Sequence, residues 1–287
     1  MTKMLFDVII DTVKDSVRLL PFLFLTYLLI ELLEHRAGAA GRRRLGAARR
    51  SGPFWGALFG LLPQCGFSAA ASSLYAGRVI TLGTLFAVYL STSDEMLPVL
   101  LSEAAAPGLI GKMLAIKAVV GMASGFLVDL VIRDERKGQD SAHVHSHQSH
   151  DEQSGRGRLA LSALRHAAEV FVYILLVSFV LNLVIALIGE EALAGLLGGV
   201  PVLGQFVCAL VGLIPNCASS VVLTELYLAG VLSLGSAMAG LLVNAGVGLL
   251  VLLRQNRDRR QTVRIIGTLY ILGVFWGLVI ELLMGGI

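Results

Sequence analysis

The sequence predicts an all-α polytopic membrane protein built as an inverted-topology repeat. Each copy holds three spans and one re-entrant helical hairpin, about ten helical segments in all. Three observations predict it. Phe54–Leu90 aligns without a gap on Phe206–Leu242, and 15 of the 37 pairs are identical. Among them are Phe54/Phe206, Gly60/Gly212, Pro63/Pro215, Cys65/Cys217, Ser68/Ser220, Tyr75/Tyr227 and Gly83/Gly235. Leu and Ala coincide by composition in any two apolar segments; Pro, Cys, Tyr and Gly in register do not. Next, the 287 residues are 56% hydrophobic and only 15% charged, below the roughly 25% charged of soluble domains, and apolar runs of about 20 residues recur throughout. Last, the arginines fall in loops that fit only one count of crossings.

The apolar segments are 17–34, 53–77, 81–103, 108–132, 160–188, 204–229, 232–253 and 263–284. The first follows a mixed-charge start (Asp7, Asp11, Lys14, Asp15) and reads as a retained span rather than a cleaved signal. Arg36, Arg42, Arg43, Arg44, Arg49 and Arg50 place the next loop in the cytoplasm. Arg133, Arg136, Lys137, Arg156 and Arg158 place the loop after the fourth segment there too. Glu190 and Glu191 sit in a loop without bases that suits the outside, and Arg254, Arg257, Arg259, Arg260 and Arg264 mark a cytoplasmic return.

Three full crossings between the first two basic loops would violate this pattern, and two satisfy it. Segment 53–77 is therefore expected to enter and leave on one side. Its break at Pro63–Gly66 leaves arms of about ten residues, each roughly 15 Å long, half a bilayer. Proline supplies the break, because it lacks an amide donor and disfavours helix in the preceding residue. Segment 204–229, broken at Pro215–Ala218, reads the same way. With three crossings per copy the copies insert oppositely, and the two tips are expected to meet near the midplane. The organisation is then repeat 1 over 1–133, a His-rich cytoplasmic linker over 134–158 and repeat 2 over 159–287. Both termini are expected in the periplasm and the chain in a bacterial cytoplasmic (inner) membrane.

Broken membrane helices expose backbone groups only where they line protein or a polar cavity, and paired breaks point to a substrate site. The expected substrate-binding residues are Gln64, Cys65 and Ser68 at the first tip, and Asn216, Cys217, Ser219 and Ser220 at the second. Capping of the half-helices accounts for some of these groups. The span 81–103 adds Ser91, Thr92, Ser93, Asp94 and Glu95 at its middle, with Pro98 beyond. A charge at the bilayer centre costs roughly 2.5–3.5 kcal/mol on insertion scales, so these acids need a partner, a proton or a cation. Thr92 matches Asn244, which joins the site, whereas Asp94 matches Gly246. Glu225 is either a third carboxylate or an interfacial residue. Lys117 lies at a depth similar to Asp94 and Glu95, so a Lys117–Asp94 or Lys117–Glu95 pair is expected, either structural or with all three as the coupling groups. Asp94, Glu95, Cys65 and Cys217 are the expected metal ligands of the transport site. His143, His145, His147 and His150 form a second, loose set in the linker, or a linker that is merely His-rich. Cys208, in a plain apolar run, reads as packing.

The elements P-Q-C-G-F-S, S-T-S-D-E-M-L-P and P-N-C-A-S-S, with a His-rich loop between the halves, resemble a bacterial family of ten-helix heavy-metal exporters. Its members carry the names arsenic efflux protein or manganese transporter. The resemblance implies a transporter rather than an enzyme, with lipid, a transported metal or metalloid ion and protons as partners. It implies no cofactor and no nucleic acid, and it admits a homo-oligomer. Hard carboxylate and carbonyl oxygen favour a divalent cation such as manganese, exchanged for protons; the two thiols favour arsenite or organic arsenicals instead. A polyprenyl-phosphate flippase or phosphatase is the remaining alternative. Undecaprenyl-pyrophosphate phosphatase looks similar in layout, but its tip carries P-G-x-S-R-S, and neither tip here has an arginine to hold phosphate.

Overall fold

The computed structural model describes residues 51–64, 66–93, 95–132, 203–256 and 258–284, with scattered helical positions between 17 and 28 and between 164 and 183. Among the described residues there are helices and no strands. The first half holds α1 (Gly52–Gly60), α2 (Gly66–Ala76), α3 (Leu82–Ser91), α4 (Met96–Ser102) and α5 (Pro107–Ile132). The second holds α6 (Leu203–Gly212), α7 (Cys217–Leu228), α8 (Leu234–Val243), α9 (Val247–Gln255) and α10 (Arg259–Met284). The bounds of α3 and α5 recur in α8 and α10 at an offset of 152, the offset of the sequence alignment. Among the described residues, three stretches are long and apolar enough to cross a membrane: Pro107–Ile132, Leu234–Gln255 and Arg259–Met284. The 134–158 linker lies outside the described residues.

Local chemistry sets these ends. Thr81 caps α3 by accepting from Thr84 N, and Ser233 caps α8 by accepting from Ser236 N. A carboxylate from the neighbouring long helix completes each start. Asp129 accepts from Gly83 N at 2.8 Å and from Thr81 Oγ1 at 2.7 Å, and Glu281 accepts from Gly235 N at 2.9 Å. These acids satisfy orphan amides and complement the positive helix end. The basic loop expected at 254–264 shrinks to Asn256–Asp258, because Asp258 Oδ1 accepts from Arg260 N and Gln261 N and starts α10 early.

Glycines bring the helices together. A Cβ on Gly52 would strike Thr84 Oγ1 and one on Gly60 would strike Ser91 Oγ, so α1 lies along α3 and runs the same way. Gly121 faces Ala87 and Ser91, and Gly125 faces Gly83 and Ala87, so α5 runs antiparallel to α3. The second half repeats these contacts: Gly204 on Ser236, Gly212 on Gly240, Gly273 on Ala239 and Val243, and Gly277 on Gly235 and Ala239. Inside a membrane water cannot drive helices together, and small residues let backbones approach for dispersion contact. The halves join where α2 lies on α9 and α7 lies on α4. Trp276 Nε1 on α10 also donates to Ser124 Oγ on α5, 2.9 Å away.

A methyl group added at Gly125 would sit 2.6 Å from Gly83 O and 2.8 Å from Ala87 Cβ, whereas one at Gly111 would meet nothing within 4 Å. Gly125→Ala should therefore lower the melting temperature of the purified protein by the equivalent of about 1–3 kcal/mol. Gly111→Ala should leave it unchanged. Equal melting curves for the two variants would remove the close-packing account.

Candidate functional site

Four helix breaks form the site, and each has a local cause. At both tips the chain turns in the same way: Gln64 N donates to Leu62 O and Asn216 N to Ile214 O, each at 2.7 Å, around Pro63 and Pro215. Such a tight turn closes α1 and α6 and opens α2 and α7. Asn216 is buried and caps α7, accepting from Ala218 N. The other two breaks interrupt the spans. Pro98 sits in the first turn of α4, where its missing N–H costs nothing, so the helix must stop upstream. The second span has no proline there. It breaks because Gly246 takes φ +51°, ψ −137°, a region that suits glycine. The first of these breaks falls on the polar 91–95 run that the sequence marks out, whereas nothing in the sequence analysis pointed to its partner at Asn244–Gly246.

Ser91, Thr92 and Ser93 are all buried at the end of α3. Ser91 Oγ donates to Ala87 O at 2.7 Å and Thr92 Oγ1 to Val88 O at 2.7 Å, so both hydroxyls turn back onto their own helix. Glu95 is half-buried at the start of α4 and makes no capping bond with its side chain. At the matching break Asn244 is buried and works twice. Its Oδ1 accepts from Gly246 N at 2.9 Å and its Nδ2 donates to Ser219 Oγ at 3.1 Å. Ser219 in turn donates to Asn216 O at 2.8 Å. The second tip and the α8–α9 break are thus one hydrogen-bonded unit.

Lys117 is 1% exposed, and its Nζ donates to Leu241 O at 2.7 Å. That carbonyl belongs to the last turn of α8, which lacks following helical amides and is the negative helix end. A cation from the first half therefore caps a broken helix of the second. The first tip crosses over as well. A Cβ on Gly248 would lie 2.8 Å from Ser68 Cβ, and Ser72 Oγ donates to Gly248 O at 2.7 Å.

The structure thus joins Asn216, Ser219 and Asn244 by hydrogen bonds. It sets Ser68 against α9, buries Ser220, and leaves Gln64 half-buried at its tip. Glu225 does not come to this centre. It is exposed, eight residues beyond the start of α7 at Cys217, or about 12 Å along the helix. Cys65, Asp94, His143, His145, His147 and His150 lie outside the described residues. Two residues that sequence reasoning missed are Ser72 and Tyr89. Both are fully buried, and Tyr89 Oη lies 2.6 Å from Ser72 Oγ and 3.2 Å from Gly248 O. Tyr89 is a polar-tipped side chain in the last turn of α3, two residues before Ser91, which was the available signal.

A family model described as "Putative, 10TM heavy-metal exporter" matches residues 4–194, the stretch that contains the first tip, the 91–95 break and Lys117. The chain belongs to this family. Membership in the 10TM exporter family places the protein in a membrane as a multi-span chain and makes a transported heavy-metal ion its cargo class. Comparisons with curated proteins and with solved structures give no match.

Asn244→Ala would leave Gly246 N and Ser219 Oγ short of a partner at a buried break. A destabilisation of about 1–3 kcal/mol is expected, read as a lower melting temperature of the purified protein. A melting temperature equal to that of the unaltered chain would show that the break holds without this side chain.

Proposed function

We propose that the protein is a secondary active exporter of a divalent cation such as manganese, exchanged for protons, working through an inverted repeat with two re-entrant hairpins. The observation that carries the reading is the second tip joined to the α8–α9 break through Asn216, Ser219 and Asn244, with buried Lys117 bonded to the last turn of α8, in a chain of the heavy-metal exporter family.

The contacts support the hairpins. α1 begins beside Thr84 and ends beside Ser91, and α2 ends at Ala76, just before Thr81 caps α3. The start of α1 and the end of α2 then lie at one end of α3. They support inversion too. Gln255 Nε2 donates to Ser73 Oγ at 3.1 Å and Gln261 Nε2 to Tyr75 Oη at 2.8 Å. The far end of α9 therefore meets the outer end of α2, so the α8–α9 span finishes on the side where α3 begins.

In this reading the cation takes oxygen ligands from Asp94 and Glu95 and from the carbonyl ends of the broken helices, which carry negative helix dipole. Gln64, Ser68, Ser91, Thr92, Ser93, Asn216, Ser219, Ser220 and Asn244 line its path. Lys117 holds the acids ionised until the cation or a proton displaces it. Glu225 stands toward the outer end of α7, clear of this path. The His-rich stretch 134–158 gathers metal on the cytoplasmic side, between membrane repeats 1–133 and 159–287.

Ligands that bind the folded state raise its melting temperature, by about 2.7 kcal/mol of stabilisation at a hundred times Kd. Manganese should stabilise the purified protein, and Asp94→Asn should abolish both this shift and manganese efflux while the protein still inserts. A shift with arsenite alone, lost on changing Cys65 or Cys217, would replace the cation by an arsenical. A shift with polyprenyl phosphate alone would end the exporter reading.

The orientation has its own test. Glu103→Cys should react with an impermeant thiol reagent from the periplasm, and Asp258→Cys from the cytoplasm. The reverse pattern would overturn the topology.

A further inference from the structure

We propose that Arg260 and Arg264, near the start of α10, hold the phosphate of an anionic phospholipid whose acyl chain lies along the same face of the helix. The proposal needs only a chain that spans a membrane, so it stands apart from the exporter reading.

α10 has 26 residues, about 39 Å at helical rise against a hydrocarbon core of about 30 Å. Its far end is apolar and exposed at Leu282 and Leu283, so the excess length falls at the other end. Arg259, Arg260 and Arg264 then stand at the level of the lipid headgroups, and all three are exposed. Arg260 and Arg264 are four residues apart and share one face. Among the described residues, neither guanidinium makes a hydrogen bond or an ion pair. The neighbouring acid, Asp258, is engaged with the backbone, where its Oδ1 accepts from Arg260 N and Gln261 N. Arg254, at the end of α9, is instead held over the Tyr173 ring at 5.5 Å.

Helix electrostatics does not account for the arginine pair. Cations are disfavoured at the positive end of a helix, and like charges four residues apart repel. The duplicated scaffold does not require it either. At the offset of 152, Arg259 and Arg260 match Pro107 and Gly108, and Arg264 matches Lys112. The same stretch of α5 thus carries one cation where α10 carries three. A phosphate between the two guanidinium forks turns their repulsion into attraction, because arginine pairs with phosphate oxygens two at a time. The surface selects a lipid as the source of that phosphate. Beyond the arginines the same face continues as Gly267, Ile271 and Phe275, all exposed. A Cβ on Gly267 would meet nothing within 4 Å, so the glycine leaves a notch in which an acyl chain can lie. In the topology proposed above, this end of α10 faces the cytoplasmic leaflet, the one rich in anionic lipid.

The full-length protein, purified in an uncharged detergent, is melted against phosphatidylglycerol and against phosphatidylcholine with the same acyl chains. Phosphatidylglycerol should give the larger rise in melting temperature. Arg260→Gln with Arg264→Gln should weaken its apparent affinity roughly tenfold. Lys112→Gln, at the matching position of α5, should leave that affinity unchanged. Arg260→Lys with Arg264→Lys keeps the positive charge that orients a helix in the membrane, so it carries the test if the glutamine pair fails to insert. It should still weaken binding, since an ammonium group lacks the fork. Unchanged affinity in either double variant would overturn the proposal. An equal shift with phosphatidylcholine would do the same. So would a shift with inorganic phosphate at matched ionic strength, which would make the ligand a soluble anion.

Discussion

A helix broken inside a membrane has no water to satisfy its freed amides and carbonyls, and every other arrangement in this protein answers to that constraint. Ser91 and Thr92 fold their hydroxyls back onto the end of α3. Asn244 satisfies the amide beyond its own break and holds the second tip through Ser219. Lys117 reaches across the halves to a last-turn carbonyl of α8. Close glycine contacts are the other half of the answer, since α1 and α6 come near enough to α3 and α8 to shield the breaks from lipid. The polarity that a transported ion requires is thus the polarity that the broken backbone requires. A chain that has to satisfy the second already has much of the first.

Much of this was legible in the residue order, for a physical reason. Proline in register at both tips, and small residues at the same intervals, constrain backbone geometry directly, so the 37-residue alignment located the tip breaks and the lengths of their arms. The observed recurrence runs further, through Pro107–Ile132 and Arg259–Met284, where the two sequences share little but glycine spacing. The break at Asn244–Gly246 escaped notice because glycine makes it by taking a positive φ rather than by lacking a donor. Nothing in an apolar run announces that choice. Ser72 and Tyr89 escaped for another reason. A serine in a helix reads as a small packing residue, and its partner Gly248 is 176 positions away. The short Asn256–Asp258 connection was read too long because arginines suit a loop and a first helical turn equally well.

The duplicated halves have kept their packing and diverged in their polar chemistry. Asp129 and Glu281 do the same work at the starts of α3 and α8. Lys117, by contrast, has Leu269 as its counterpart, and Asp94 has Gly246. Matched scaffolds with unmatched charges give two halves alike in packing, of which, among the described residues, only the first carries a buried lysine. Glycine positions set the first property and single side-chain exchanges the second, so the two can change independently.

The Ser124–Trp276 hydrogen bond has a geometric meaning beyond its energy. These two positions are counterparts at the offset that relates the halves. Under a two-fold relation, a residue touches its own counterpart only where the rotation axis passes. Points on such an axis move least when the halves swap shapes, as the fulcrum of a seesaw stays still while its ends trade height. In the inverted-repeat reading, the indole–hydroxyl contact between α5 and α10 marks where that axis passes.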